Sequence, residues 1–158
     1  MKKWAAALAA ALLVPAAAGA VSPAELSDTS KYKPVYMSET GVVYAELASI
    51  KTGDPVKGQL PLIQADIYLE RYRDMPDYET ISGGGLVEHI FAYHSKLLAV
   101  HRMSDKNGPL QYYADNRLFG IFDADGAPAN ILPQAGEAQA ITLTGEAQDL
   151  YLNLYRLL

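Results

Sequence analysis

The stretch Ile63-Gln64-Ala65-Asp66-Ile67-Tyr68-Leu69-Glu70 decides how this chain folds. Ile63, Ala65, Ile67 and Leu69 alternate with Gln64, Asp66, Tyr68 and Glu70, a period of two that puts each set on its own face of a strand. A helix would scatter the same residues around its circumference, and Leu60-Pro61-Leu62 just before them also suits extended backbone. Upstream, Val35–Ser38 and Val42–Ile50 are rich in Val, Tyr and Ile and are separated by Glu39-Thr40-Gly41, which reads as two strands and a turn ending at Thr52-Gly53-Asp54-Pro55. Downstream, Asp74–Gly85 reads as a loop around three consecutive glycines. Leu86–Tyr93 and Leu97–Met103 then read as a hairpin joined by His94-Ser95-Lys96. Ser104–Pro109, with its Asn107-Gly108 pair, predicts a further turn into a strand at Gln111–Tyr113. One short strand is expected at Leu118–Phe122, before an irregular Pro/Ala/Gly-rich connection to about Ala140.

The C-terminus changes period. Leu143, Ala147, Leu150, Tyr151, Leu154, Leu157 and Leu158 recur at steps of three and four, one stripe of a helix over about 144–158, with Thr142 or Thr144 as cap. The odd-numbered face of Ile63–Leu69 is the surface for that stripe to cover. The expected fold is α+β: a twisted antiparallel sheet of about 5–7 strands packed against a C-terminal amphipathic helix, over residues 35–158.

The first 20 residues have a different character. Lys2 and Lys3 precede an unbroken apolar run, Trp4–Val14, followed by Pro15 and Ala18-Gly19-Ala20, the three-part layout of a secretory signal peptide with cleavage expected after Ala20. The run is shorter than the about 20 residues a membrane-spanning helix needs, so no permanent membrane anchor is expected after cleavage, and no cysteine follows for lipidation. The mature chain is therefore expected to be periplasmic or secreted. Residues 21–34 show neither hydrophobic period and read as a mobile leader.

Composition removes several kinds of chemistry. The chain has 158 residues, and removing 1–20 leaves 138, whose 11 Lys and Arg against 18 Asp and Glu give a charge of −7. With no basic patch, that charge argues against nucleic acid as a partner. The absence of cysteine excludes disulfides, thiolate-ligated metals and thiol nucleophiles, and no cofactor motif occurs. His89, His94 and His101 are the natural metal ligands to test. A three-residue loop at 94–96 would place His89 opposite His101, a cross-strand pair able to hold a divalent ion, although no carboxylate is placed as a third ligand. Asp123-Ala124-Asp125-Gly126 opens like a calcium loop but has Ala127 and Gln134 where oxygen ligands are required, so it reads as a β-turn. Ser95 is adjacent to His94, yet no G-x-S-x-G elbow occurs, and Asp66 with Glu70 reads as solvated charge on a polar strand face. A non-enzymatic role follows.

All 11 tyrosines lie after residue 20. Tyr68, Tyr72, Tyr93 and Tyr112 on a polar sheet face would make a rigid amphipathic recognition surface for a protein or envelope component, against the simpler account that Tyr suits β-sheets.

The order of these elements, with KYKPVYMSE, LIQADIYLERY, LVEHIFAYHSKLLAVHRM, the D-x-D-G turn and AQDLYLNLYRLL, resembles small exported modules of the surface-adhesin protein E type. That resemblance implies a secreted β-rich fold and carries no functional residue. The chain lacks the cysteines of some members and any lipid-attachment site.

Overall fold

The computed structural model describes residues 20–54, 60–73, 86–102, 105–131 and 146–158. The strands are β1 (Tyr32–Ser38), β2 (Gly41–Glu46), β3 (Lys51–Thr52), β4 (Ile63–Tyr72), β5 (Val87–Arg102) and β6 (Asp105–Asp123). They form one antiparallel sheet in the order β1-β2-β4-β5-β6, with the short β3 also paired to β4. A helical turn, α1 (Pro23–Leu26), precedes the sheet, and α2 (Glu146–Tyr155) ends the chain. This is the expected α+β architecture, with six strands.

The odd-numbered residues of β4 lie on the face that α2 covers, as their alternation predicts. Ile63, Ala65 and Ile67 are buried with Phe91, Tyr93, Leu97 and Ala99 of β5 and with Leu150, Tyr151 and Leu154 of α2. The helix stripe is buried at Ala147, Leu150, Tyr151 and Leu154, while Leu157 and Leu158 are exposed beyond the helix end. Two polar anchors fix the helix: Tyr151 donates its hydroxyl to the Pro61 carbonyl, and Asn153 Nδ2 donates to the Val35 carbonyl at 2.7 Å. Leu143, Thr142 and Thr144 lie outside the described residues, as does the glycine-rich loop 74–85.

The hairpin expected at His94-Ser95-Lys96 does not exist: β5 is a continuous 16-residue strand, and those residues sit in its middle. The reason is a change of environment along the strand. Ile90, Phe91, Ala92 and Tyr93 are consecutive and all buried, because both sheet faces are covered there, whereas from His94 to Ala99 exposed and buried residues alternate. A polar triplet that resembles a turn therefore marks where one face opens to solvent. Of the turn expected at 104–109, Ser104 lies outside the described residues and Asp105–Pro109 belong to β6, where the register shifts between His101↔Leu110 and Arg102↔Asp105. The strands expected separately at Gln111–Tyr113 and Leu118–Phe122 are parts of β6, which runs for 19 residues. Between Ala92↔Gly120 and Tyr93↔Leu118 the register shifts, leaving Phe119 as the extra residue of a β-bulge. The expected turn at Asp123–Gly126 is present: Gly126 has φ +84° and its N–H donates to the Asp123 carbonyl at 2.8 Å.

Residues 21–34, expected to be a mobile leader, are instead structural. Ser22 caps α1 through its side chain, and Val21, Leu26 and Tyr32 join Tyr68, Ile90, Ala92 and Phe122 in a second buried cluster on the sheet face opposite α2. Only three apolar side chains do this work, too few to produce a period. The segment is held against the Asp123–Gly126 turn, where a Cβ on Gly126 would lie 2.9 Å from Ser22 Cβ and 3.2 Å from its backbone N and Cα.

Two substitutions test this cover. Leu26→Ala empties a fully buried position and is expected to cost about 2–4 kcal/mol. Gly126→Ala combines positive φ with backbone contact to Ser22 and is expected to cost at least ~1 kcal/mol. Both read as lowered urea midpoints; wild-type midpoints would mean that residues 21–26 are dispensable.

Candidate functional site

The face opposite α2 is covered at one end and open at the other. Under the N-terminal cover, buried tyrosines act as hydrogen-bond donors. Tyr68 donates to Glu46 Oε2 at 3.2 Å and Tyr32 to Glu25 Oε1 at 3.5 Å. Burial, reinforced by Glu25 and Glu46, pushes the Tyr32 hydroxyl up to about 12. Burial pushes Tyr68 higher still, with Glu46 and Tyr32 adding to it. Tyr44 is likewise pushed up to about 12 by burial and by Glu70, the carboxylate it bonds. These phenols stay neutral over the whole physiological range.

The four tyrosines expected to form a recognition surface are thus dispersed. Tyr68 and Tyr93 are buried on opposite faces, Tyr112 packs its ring on Tyr151 of α2 with centroids 5.6 Å apart, and Tyr72 is half-buried at the far end of β4. Glu70, expected to be solvated, is also buried; desolvation holds its carboxyl above the usual carboxylate range, partly offset by the bond from Tyr44.

The histidines are dispersed as well. His89 and His101 lie on the same strand twelve residues apart, about 40 Å at about 3.3 Å per residue, so no cross-strand pair forms. His89 has Asp123 3.6 Å away, and His101 Nδ1 bonds the Gly108 carbonyl at 2.7 Å. Among the described residues no group of three or more His, Asp or Glu side chains could hold a metal ion.

His94, the residue read as a turn, occupies the centre of the open end. β4, β5 and β6 set three residues abreast in each row: Gln64, Lys96 and Asp115, then Asp66, His94 and Arg117. The third row, Tyr68, Ala92 and Gly120, begins the covered part. His94 Nδ1 lies 2.5 Å from Asp66 Oδ1, and its ring stacks on Phe119 with centroids 4.1 Å apart and planes at 19°. The bulge at Phe119 supplies that ring, while in the next row the absent Cβ of Gly120 leaves room for the ring of Phe122, 3.0 Å from where it would lie. Asp66 is held in turn, because its backbone N–H donates to Ser49 Oγ at 2.8 Å and Ser49 donates to the Glu46 carbonyl. A carboxylate at Nδ1 makes that nitrogen the N–H donor and turns Nε2 toward solvent. Ser95 belongs to the other face, where it is buried and donates to Asn116 Oδ1 at 2.7 Å, so it is no nucleophile for His94.

Two adjoining shallow depressions surround this imidazole. One of about 240 Å³ is lined by Gln64, His94, Ser95, Lys96, Asp115 and Arg117, and one of about 400 Å³ by residues that include Ser49, Lys51, Gln64, Asp66, His94 and Ser95. Charges of both signs line them, and both are open grooves. The sequence signal was present in the alternation of His94, Lys96 and Leu98 with Ser95, Leu97 and Ala99, and was obscured by reading a turn.

The raised Glu70 carboxyl has a pH signature. A carboxyl held above its unfolded value of 4.5 weakens the fold once ionised, and that penalty is relieved as pH falls from the raised value toward 4.5. Glu70→Gln, which removes the charge, is expected to raise the melting temperature at pH 7, with the gain vanishing near pH 4. Calorimetry across that range checks it; an unchanged or lowered melting temperature at pH 7 contradicts it.

Comparison with family models, curated proteins and solved structures finds no match to this chain.

Proposed function

We propose that this chain is an exported, non-catalytic binding module that recognises a protein or envelope component through the open end of the sheet around His94. One observation carries the reading: a preorganised polar surface, with His94 clamped between Asp66 and Phe119, is exposed in the middle of an otherwise two-sided sheet. Shallow grooves lined by both charge signs suit a broad macromolecular contact, whereas small-molecule substrates are taken by concave, mostly apolar pockets. Export is supported by the Lys2-Lys3, Trp4–Val14 and Ala18-Gly19-Ala20 pattern. Among the described residues no helix is long and apolar enough to cross a membrane. The charge of −7 after residue 20, the 11 minus 18 counted above, disfavours nucleic acid.

A hydrolase reading draws on the Asp66–His94 contact, while the two serine hydroxyls of the groove residues are engaged elsewhere, Ser49 donating to the Glu46 carbonyl and Ser95 to Asn116 Oδ1. Metal binding through His89 and His101 has lost the geometry on which it rested.

The test is affinity capture from envelope extracts of the source with residues 21–158 as bait, alongside His94→Ala, Lys96→Glu and, as a control on the outer strand β1 away from the groove, Met37→Lys. A partner retained by wild type and Met37→Lys and weakened at least about tenfold by both groove variants is the expected outcome. A partner captured equally by all four would place recognition elsewhere, and no partner at all would overturn the reading.

A further inference from the structure

At the open end of the sheet, β5 and β6 hold an exposed array that extends past the groove. His94, Lys96 and Leu98 of β5 pair with Arg117, Asp115 and Tyr113 of β6, which stands six exposed side chains in three rows on the face opposite α2. Two rows are charged, and Gln64 and Lys51 extend the second of them across β4 to β3. The third row is apolar: Leu98 is 39% exposed, and Tyr113 is 50% exposed with its hydroxyl donating to Gln111 Oε1. The charges of the array do not cancel. Asp66 is taken up by His94 and Asp115 lies 3.8 Å from Arg117, whereas Lys51 and Lys96 have no ion-pair partner among the described residues. Lys51, Lys96 and Arg117 against Asp66 and Asp115 leave the patch at +1 with His94 neutral, while the remaining residues after position 20 sum to −8.

We propose, on the reading that the groove around His94 is a binding surface, that this array receives an acidic segment of a partner protein, with carboxylates on Arg117 and Lys96 and an apolar side chain on Leu98 and Tyr113. A net-positive patch within an acidic molecule steers acidic groups toward it. Arg117 offers a planar fork that a carboxylate accepts in two bonds, and its exposed contact with Asp115 is weak enough to give way. Lys96 offers an ammonium with no competing acid. The spacing suits an extended peptide: outward residues of β5 recur about every 6.6 Å, at about 3.3 Å per residue, as do alternate side chains of any extended chain. A segment lying along the strand therefore meets the three rows in step. The apolar row favours a protein over other polyanions. A uronate polymer has no aliphatic side chain to cover Leu98 and Tyr113, and an anionic bilayer is a continuous negative plane that repels Asp66 and Asp115.

The experiment is an amide NMR titration of residues 21–158 with a synthetic peptide that repeats glutamate, serine, glutamate, serine, leucine, serine. Three further arms use the same peptide with lysine for each glutamate, the same peptide with serine for each leucine, and sodium polygalacturonate at equal carboxylate concentration. Saturating shifts at 94–98 and 113–117 with a Kd of about 1 mM are expected for the glutamate–leucine peptide. The lysine peptide is expected not to saturate, the peptide without leucine to bind at least roughly threefold more weakly, and Lys96→Glu to weaken the first peptide at least about tenfold. No saturating shift at those residues, equal binding of the lysine peptide, or polygalacturonate binding there as tightly would each overturn the inference, the last in favour of an acidic glycan. The arms on unaltered protein decide between these outcomes should Lys96→Glu misfold. Absence of peptide binding beside a partner captured through His94 removes the acidic preference and leaves the groove a binding surface, whereas peptide binding without any such partner does the reverse.

Discussion

Everything in this structure depends on four consecutive residues that need cover on both sides. Ile90, Phe91, Ala92 and Tyr93 alternate between the two faces of β5, and all four are buried. A sheet apolar on one face is satisfied by one layer, but this segment needs two. α2 supplies the first, with Leu150, Tyr151 and Leu154. The second comes from Val21, Leu26 and Tyr32, a minimal layer reaching only part of the way along the strands. Where that layer stops, the sheet emerges into solvent, and the polar residues of β4, β5 and β6 begin. The groove around His94 is the boundary of an incomplete second layer.

The sequence was most legible where one environment persists. Along Ile63–Leu69 the α2 side stays buried throughout, so the odd positions show an unbroken period of two, and the helix stripe of α2 was equally plain for the same reason. Legibility failed where the environment changes within an element. β5 passes from two covered faces to one, and its pattern changes at His94 from continuous to alternating, which resembles two strands and a loop. β6 carries a bulge at Phe119 that shifts the phase of its alternation, which resembles two short strands. The N-terminal layer has too few apolar positions to leave a period, and its one local signal is Ser22 followed by Pro23, which starts the helical turn α1.

The candidate site was hidden by the same effect. Tyrosine content pointed to a recognition surface, yet Tyr68, Tyr32, Tyr44 and Tyr151 serve packing, with their hydroxyls spent on Glu46, Glu25, Glu70 and the Pro61 carbonyl. The residues that do face outward in an ordered array include His94 and Lys96, whose polar character resembles a turn. Composition points to a chemistry, but strand register decides which side chains meet. Here register separates His89 from His101 and brings Asp66, His94 and Arg117 abreast.

The contact between Ser22 and Gly126 also bears on the order of events in the life of the chain. It joins residues about a hundred positions apart, as do the bonds from α2 back to Val35 and Pro61, with separations of 118 and 90. The β1–β2 and β5–β6 pairs are local in sequence, but neither sheet face is covered until these long separations are closed. Each hairpin formed on its own would therefore carry an apolar face with nothing over it until the distant segments arrive.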